Sequence, residues 1–165
     1  MSCHPWGEGG SWGVPLFLST FINKLDRKGR VSVPAPFRSA LADQSYPGVV
    51  LFPAINSRAL EGSGMDRMEE LYARIAALPE FSDERDAIST IFADAQQLPF
   101  DSEGRITLPP EFCEHAGIVL EMGAAFVGNG KTFQIWEPGR FELHQQERRA
   151  RARSVTLPLP APAPK

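Results

Sequence analysis

LDRKGRVSVPAPFRSAL (Leu25–Leu41) and FDSEGRITLPPEFCEHA (Phe100–Ala116) are two related stretches of this chain, and together they decide its fold. They align without a gap at an offset of 75 residues. A match that combines a turn, an alternating strand and a helix start at fixed spacing indicates an internal duplication. Five positions are identical: Asp26/Asp101, Gly29/Gly104, Arg30/Arg105, Pro34/Pro109 and Phe37/Phe112.

Each copy predicts the same order of local structures. An aspartate at the first position of a turn accepts hydrogen bonds from backbone N–H groups two residues later, and a glycine at the fourth position accepts a positive φ. The segment that follows, Arg30–Val33 or Arg105–Leu108, alternates polar and apolar residues, which predicts a strand with one buried face. The next prolines suit the first turn of a short helix. A strand before each turn is predicted at Phe17–Ile22 and Gln97–Phe100.

The remaining segments predict helices between and after the copies. Apolar residues at helical spacing predict a helix from Met65 to Leu78 that Pro79 ends, and Ser82 suits the N-cap of a second helix. A final helix is predicted from Pro138 to about Arg151. Four further strands are predicted, the last two joined by the turn Gly128–Gly130: Val49–Phe52, Ala59–Leu60, Ala124–Val127 and Thr132–Trp136.

These elements predict a β-rich α+β fold with six segments. The expected segments are a flexible extension (1–15), a first β unit (16–64), a helical connection (65–95), a second β unit (96–137), a C-terminal helix (138–153) and a proline-rich disordered tail (154–165).

Composition limits the classes of protein to which the chain can belong. Apolar residues make up 42% of the sequence, which is enough for a core, and the net charge is −3 with a pI near 5.6. Nucleic-acid binding would therefore need a local basic surface. There is no run of 18 apolar residues, so no membrane span is expected. Cys3 and Cys113 are expected to be reduced thiols of a cytoplasmic protein.

The duplicated turn allows two interpretations. In the structural one, the aspartate stabilises the loop, and the arginine pairs with that aspartate or with a partner strand. The repeat then indicates a shared fold and nothing about function. In the functional one, the tip presents Arg30 and its neighbours to phosphates or to guanine edges, as a β-ribbon in the major groove can.

Local charge favours the first copy as the DNA-contacting one. Residues 23–38 carry five cations against one anion, a local charge of +4, whereas residues 98–113 carry one cation against three anions, a local charge of −2. Since phosphate contact needs positive charge, the second copy should be chiefly structural, with Arg105 as a secondary candidate. One ribbon offers few contacts, so useful affinity predicts an oligomer. The charged residues are Lys24, Arg27, Lys28, Arg30 and Arg38 against Asp26, and Arg105 against Asp101, Glu103 and Glu111.

A second basic run lies near the C-terminus, at Arg148, Arg149, Arg151 and Arg153. It could touch the DNA backbone, but cations at the C-terminal end of a solvated helix are the favoured interpretation, because they complement the helix dipole.

No catalytic constellation is recognisable. His4, His115 and His144 have no partner at metal-ligand spacing, and Gly-x-Ser-x-Gly does not occur. We therefore expect no enzyme activity, metal or cofactor.

The segment FLSTFINKLDRKGRVSVPAPFR resembles the opening of proteins of the MraZ family. A pair of Asp-x-x-x-Arg motifs is typical of that family, and here it is found as Asp26–Arg30 and Asp101–Arg105. HAGI (His115–Ile118) and VGNGKTFQIWEPGRF (Val127–Phe141) resemble its second half. The likeness covers Leu16 to Arg149; residues 1–15 lie outside it.

This resemblance implies two AbrB-like swapped-hairpin units that form a pseudo-dimer within one chain. It also implies a ring-like homo-oligomer that binds double-stranded DNA at short direct repeats upstream of its own operon, in the division and cell-wall gene cluster. The protein would act there as a nucleoid-associated regulator, usually a repressor. Arg30 would be the leading contact, supported by Lys24, Arg27 and Lys28. The acidic loop Ser102–Gly104 departs from this pattern and favours a turn-holding role for Asp101 and Arg105.

Two other classes remain as hypotheses. A protein-interaction module, antitoxin-like or a scaffold, would assemble normally and ignore specific DNA. A small hydrolase would show an activity that survives loss of assembly.

Overall fold

The computed structural model describes residues 15–158, 160 and 162, and within them the fold is α+β as expected. Predictions that concern residues 1–14, including Cys3 and His4, lie outside the described residues, as do five positions of the C-terminal tail. In chain order the elements are β1 (Thr20–Lys24), β2 (Arg30–Ser32), α1 (Ala35–Ala40), β3 (Gly48–Pro53), β4 (Leu60–Ser63), α2 (Met65–Ala76), α3 (Asp83–Asp94), β5 (Gln96–Pro99), β6 (Arg105–Thr107), α4 (Pro110–Ala116), β7 (Gly123–Gly128), β8 (Phe133–Trp136) and α5 (Pro138–Ala152).

The two copies exchange their strands. β1 of the first copy pairs with β7 of the second, and β5 of the second pairs with β3 of the first. β2 pairs with its counterpart β6, and β4 pairs with its counterpart β8. The result is a six-stranded antiparallel sheet in the order β1-β7-β8-β4-β3-β5 and a separate two-stranded ribbon, β2–β6. This pairing is what a swapped-hairpin pseudo-dimer requires.

The main core lies between the six-stranded sheet, the β2–β6 ribbon and the two short helices α1 and α4. Phe37 of α1 is fully buried at its centre, and its ring lies 5.2 Å from that of Phe17 and 5.4 Å from that of Phe133, measured between ring centroids. Phe112 is its counterpart on α4 and is also buried. The duplicated phenylalanines therefore join the two copies through one core.

The predicted first strand, Phe17–Ile22, needs correction, because the structure has β1 at Thr20–Lys24. Ser19 has φ +71°, a left-handed conformation that interrupts a strand, and Phe17 makes only an isolated bridge to Gly130. The helix predicted to reach Leu78 ends at Ala76, three residues before Pro79.

Two helix starts that the sequence predicted are confirmed. The Ser82 hydroxyl accepts a hydrogen bond from the Arg85 N–H at the start of α3, at 3.2 Å. α5 begins at Pro138, and the Glu137 carboxylate accepts hydrogen bonds from the N–H groups of Gly139 and Arg140. The predicted division of the chain into β units and connecting segments stays a prediction.

Among the described residues, none of the helices combines the length and the apolar composition that crossing a membrane demands.

Candidate nucleic-acid interface

We call residues Asp26–Arg30 turn 1 and residues Asp101–Arg105 turn 2. In turn 1 one carboxylate oxygen of Asp26, Oδ1, accepts hydrogen bonds from the N–H groups of Lys28 and Arg30, each at 2.9 Å. The Asp26 N–H donates to the Arg30 carbonyl oxygen at 2.9 Å. Gly29 has φ +80°, which L-residues with side chains adopt at a cost. The aspartate and the glycine thus fix the shape of the loop.

Turn 2 repeats this geometry. Oδ1 of Asp101 accepts hydrogen bonds from the N–H groups of Glu103 and Arg105 at 2.9 Å, and Gly104 has φ +73°. These bonds, the backbone N–H of Arg105 foremost, hold the pKa of Asp101 below its usual value. For Asp26, desolvation raises the pKa, but the hydrogen bonds from Arg30 and Lys28 outweigh it, so this pKa is also lowered. Both aspartates are therefore ionised at neutral pH.

Each turn is held by the other copy. The Leu108 N–H donates to the Gly29 carbonyl oxygen at 2.9 Å, and the Val33 N–H donates to the Gly104 carbonyl oxygen at 3.1 Å. A Cβ atom on Gly29 would lie 3.2 Å from the Leu108 carbonyl oxygen. The two turns consequently keep a fixed relation to each other through the β2–β6 ribbon.

One face of this ribbon is polar and points away from the core. The central pair, Val31 opposite Ile106, is buried. Because side chains alternate along a strand, the flanking pairs face outward. These pairs are Arg30 opposite Thr107 and Ser32 opposite Arg105. The duplicated arginines therefore stand on one surface, at opposite ends of the ribbon.

The two arginines differ in how fully they are engaged. Nε of each donates to Oδ2 of the turn aspartate, at 2.5 Å for Arg30 and 2.8 Å for Arg105. Arg105 also pairs through Nη2 with Glu103 at 2.8 Å, whereas Arg30 makes no second ion pair within the described part of the chain. The side-chain hydrogen bond to Asp101, and the charges of Asp101, Glu103 and Asp26, raise the pKa of Arg105. The terminal amino groups of Arg30 are thus more available for other contacts than those of Arg105.

Three other predicted cations lie in turn 1 or directly before it. Lys24 ends β1, and Lys24, Arg27 and Lys28 are all exposed. Arg27 donates from Nε to a carboxylate oxygen of Glu121 at 2.9 Å, across the boundary between the copies. Local sequence pattern could not predict the role of Glu121, because it lies 94 residues from Arg27 along the chain.

Arg38 is placed differently from the rest of the first-copy cations. Its Nε donates to the Val33 carbonyl oxygen at 3.1 Å. A Cβ atom on Gly104 would lie 2.6 Å from its Nη1. Arg38 therefore lies beside turn 2, where it adds a positive charge to the more acidic side of the ribbon.

Comparison with known proteins identifies the family. The transcriptional regulator MraZ of Pelagibacter ubique (strain HTCC1062) is 49% identical to this chain over 128 residues, which are 77% of this chain and 81% of that protein. The chain belongs to the MraZ family. The MraZ regulators of Rickettsia canadensis (strain McKiel) and Rickettsia akari (strain Hartford) are each 45% identical over 130 residues, which are 78% of this chain and 86% of theirs. A family model described as "MraZ protein, putative antitoxin-like" matches residues 91–156.

The second basic run of this MraZ chain lies away from turn 1. Arg148 and Arg149 of α5 line a groove with Thr20 and Gly128. Those two residues stand at the end of the β1–β7 pair opposite to Lys24, from which turn 1 continues. The run therefore does not extend the basic surface around turn 1.

Among the described residues of the MraZ chain, His115, His144 and Cys113 form no common site. His115 lies on α4 with its Nε2 buried, and His144 lies on α5 stacked on Trp136 at 4.6 Å between ring centroids. Burial raises the pKa of the Cys113 thiol, which makes it less reactive. Within residues 15–158, no group of three histidine, cysteine, aspartate or glutamate side chains is arranged to hold a metal ion.

A cavity of about 450 Å³ lies on the other face of the sheet, between α2, α3 and α5. Glu61 lines it, opposite Gln134 on the β4–β8 pair, and accepts a hydrogen bond from the Gln134 amide. Burial raises the pKa of the Glu61 carboxyl, although the Gln134 hydrogen bond and the charge of Arg67 oppose the shift.

Replacing Glu61 with glutamine is expected to stabilise the MraZ chain at neutral pH. A carboxyl whose pKa is higher in the folded state binds a proton better there than in the unfolded chain, so its charge opposes folding above that pKa. The midpoint of thermal unfolding should rise by about 2 °C at pH 7.5, and the gain should shrink as the pH falls through the folded pKa. Glu147→Gln, on the exposed face of α5, is the matched control. A gain that stayed constant down to pH 4 would contradict this assignment.

Proposed function

We propose that this chain is a sequence-specific DNA-binding transcription regulator that contacts double-stranded DNA through turn 1. Its relatives are named transcriptional regulators, which supports a regulator rather than an enzyme. We further propose that it acts as a repressor in the cytoplasm, associated with the nucleoid. Its sites would be short direct repeats upstream of its own operon in the division and cell-wall gene cluster.

The observation that carries this proposal is a difference in charge between two turns of equal shape. Turn 1 presents Lys28 where turn 2 presents Glu103, and Arg27 where turn 2 presents Ser102. The same backbone hydrogen bonds to the aspartate form in both turns, so the shape of turn 1 does not require its cations. A surface built this way suits a polyanion.

The predicted contacts divide into two kinds. Arg30 lies on the outward face of the ribbon, and we propose that its terminal amino groups contact a guanine edge, the commonest specific contact in the major groove. The exposed Lys24, Arg27 and Lys28 suit phosphates, which position the protein without specifying sequence. Arg38 and Arg105, near the acidic turn 2, would contribute less.

A single ribbon of three residue pairs supplies few contacts. Affinity sufficient for regulation therefore favours a homo-oligomer, ring-like in our proposal, whose copies of turn 1 engage successive repeats. A second candidate function, an antitoxin-like protein-interaction module, is favoured by the description of the matching family model.

Fluorescence anisotropy with a duplex from upstream of the chain's own gene separates these candidates. A regulator should bind this duplex more tightly than a shuffled one of equal length. With Lys24, Arg27 and Lys28 on phosphates, log K against log salt concentration should fall with a slope of about −3 for each engaged protomer. Equal binding of both duplexes, or no binding at low salt, would contradict the proposal and favour the interaction module.

A further inference from the structure

We propose that Glu121 acts as an intramolecular competitor of DNA phosphate, which holds Arg27 until a duplex displaces it and thereby sets the affinity of turn 1. This inference rests on the proposed function and adds a residue that opposes binding. Its basis is the ion pair between Arg27 Nε and Glu121 Oε1 at 2.9 Å.

The pair is open to solvent. The Arg27 side chain is 87% exposed and that of Glu121 is 55% exposed. An ion pair so open to solvent contributes little to stability, because water screens it and both side chains lose freedom. The stability of the fold therefore does not require a carboxylate at this position beside turn 1.

The loop that carries Glu121 is fixed against turn 1. The Leu25 N–H donates to the carbonyl oxygen of Met122 at 2.9 Å, one residue before the turn begins. Glu121 itself has φ +66°, a conformation that glycine or asparagine adopts more readily than glutamate. A recess of about 280 Å³, lined by Lys24, Leu25, Asp26, Arg27 and Glu121, separates the two loops. The backbone that carries Glu121 is thus held beside turn 1, while Arg27 has room to move.

Turn 2 has no equivalent of this pair. Ser102 takes the place of Arg27, and the residue that corresponds to Glu121 in the first copy is Tyr46. Within the described residues, only the basic turn 1 has such an ion pair with the loop before β7 or its counterpart before β3.

In this proposal DNA phosphate draws Arg27 away from Glu121, because both anions attract the same guanidinium group. When phosphates approach turn 1, they compete with the carboxylate for Arg27, and Glu121 is left as an unpaired anion beside a polyanion. Both effects weaken binding. Once Arg27 has left, the Glu121 carboxylate attracts a cation from solution, which offsets part of the counterion release from the DNA. Glu121 consequently lowers both the affinity and its salt dependence.

The test is a double-mutant cycle measured by anisotropy with the full chain and the upstream duplex. Glu121→Gln should bind about threefold more tightly per engaged turn, the size of an exposed ion pair, and its salt slope should steepen by up to about one. In an Arg27→Ala background the same change should alter affinity by much less, because the competition is gone. Glu80→Gln, an exposed site between α2 and α3, removes the same charge and should leave binding unchanged.

Two results would overturn the inference while leaving the proposed function intact. One is wild-type affinity for Glu121→Gln. The other is an equal gain with and without Arg27, which would reveal a general charge effect. If the wild-type chain binds no duplex at all, the proposed function fails and this inference fails with it. Unfolding curves should coincide for wild type and Glu121→Gln, which excludes a change in folding.

Discussion

Replacing Arg30 with alanine is expected to reduce affinity for the upstream duplex at least tenfold while the fold persists. A good arginine–guanine contact discriminates by about 1–3 kcal/mol, and several turns of an oligomer multiply the loss. The shape of turn 1 does not depend on this side chain, since Asp26 Oδ1 accepts hydrogen bonds from backbone N–H groups. Anisotropy measures the loss, and thermal unfolding checks that the protein remains folded.

Arg105→Ala is the matched control, since this residue holds the equivalent position in turn 2. Arg105 is tied to both Asp101 and Glu103, so its removal should change affinity less than about threefold. If Arg105→Ala lost as much binding as Arg30→Ala, the assignment of turn 1 as the DNA contact would be wrong. Wild-type binding by Arg30→Ala would be equally damaging.

Replacing Phe37 with alanine is expected to cause the largest loss of stability. The ring is fully buried, and it lies edge-on to Phe21 at 5.6 Å and to Phe17 at 5.2 Å. Truncating such a side chain costs about 3–5 kcal/mol, because apolar contacts are lost and a cavity remains. For a chain of this size the midpoint of thermal unfolding should fall by about 10 °C. Differential scanning calorimetry or denaturant unfolding measures the difference.

Phe81→Ala supplies the comparison, because Phe81 lies in the loop that connects α2 to α3 and is 93% exposed. Its removal should change stability by no more than about 0.5 kcal/mol. A Phe37 variant as stable as the Phe81 variant would show that the two copies do not share one core.

The local structure was predictable because it depends on neighbouring residues. Asp26 and Gly29 specify their turn within five residues, and Ser82 and Pro138 specify helix starts through their own backbone and side-chain chemistry. The periodicity of the strands followed equally from local alternation. The start of β1 did not, since the left-handed Ser19 carries no sequence signal.

The long-range part of the site could not be derived from local pattern. Strand exchange between the copies came from the family resemblance, because alternation sets the buried face of a strand and not its partner. The placement of Arg38 beside Gly104 and of Glu121 beside Arg27 follows from that exchange. Both bring together residues from different copies, so a count of charges along the chain could not reveal them.

Exchanging the charges of the two turns tests the central claim most directly. The double variant Lys28→Glu, Glu103→Lys keeps the net charge at −3 and changes two exposed side chains whose backbone N–H groups bond to the turn aspartates in the same way. Our account predicts that affinity for the upstream duplex falls at least tenfold, with a salt slope shallower by about one or more per engaged protomer. Undiminished affinity in a folded, normally assembled variant would contradict the claim that turn 1 grips DNA.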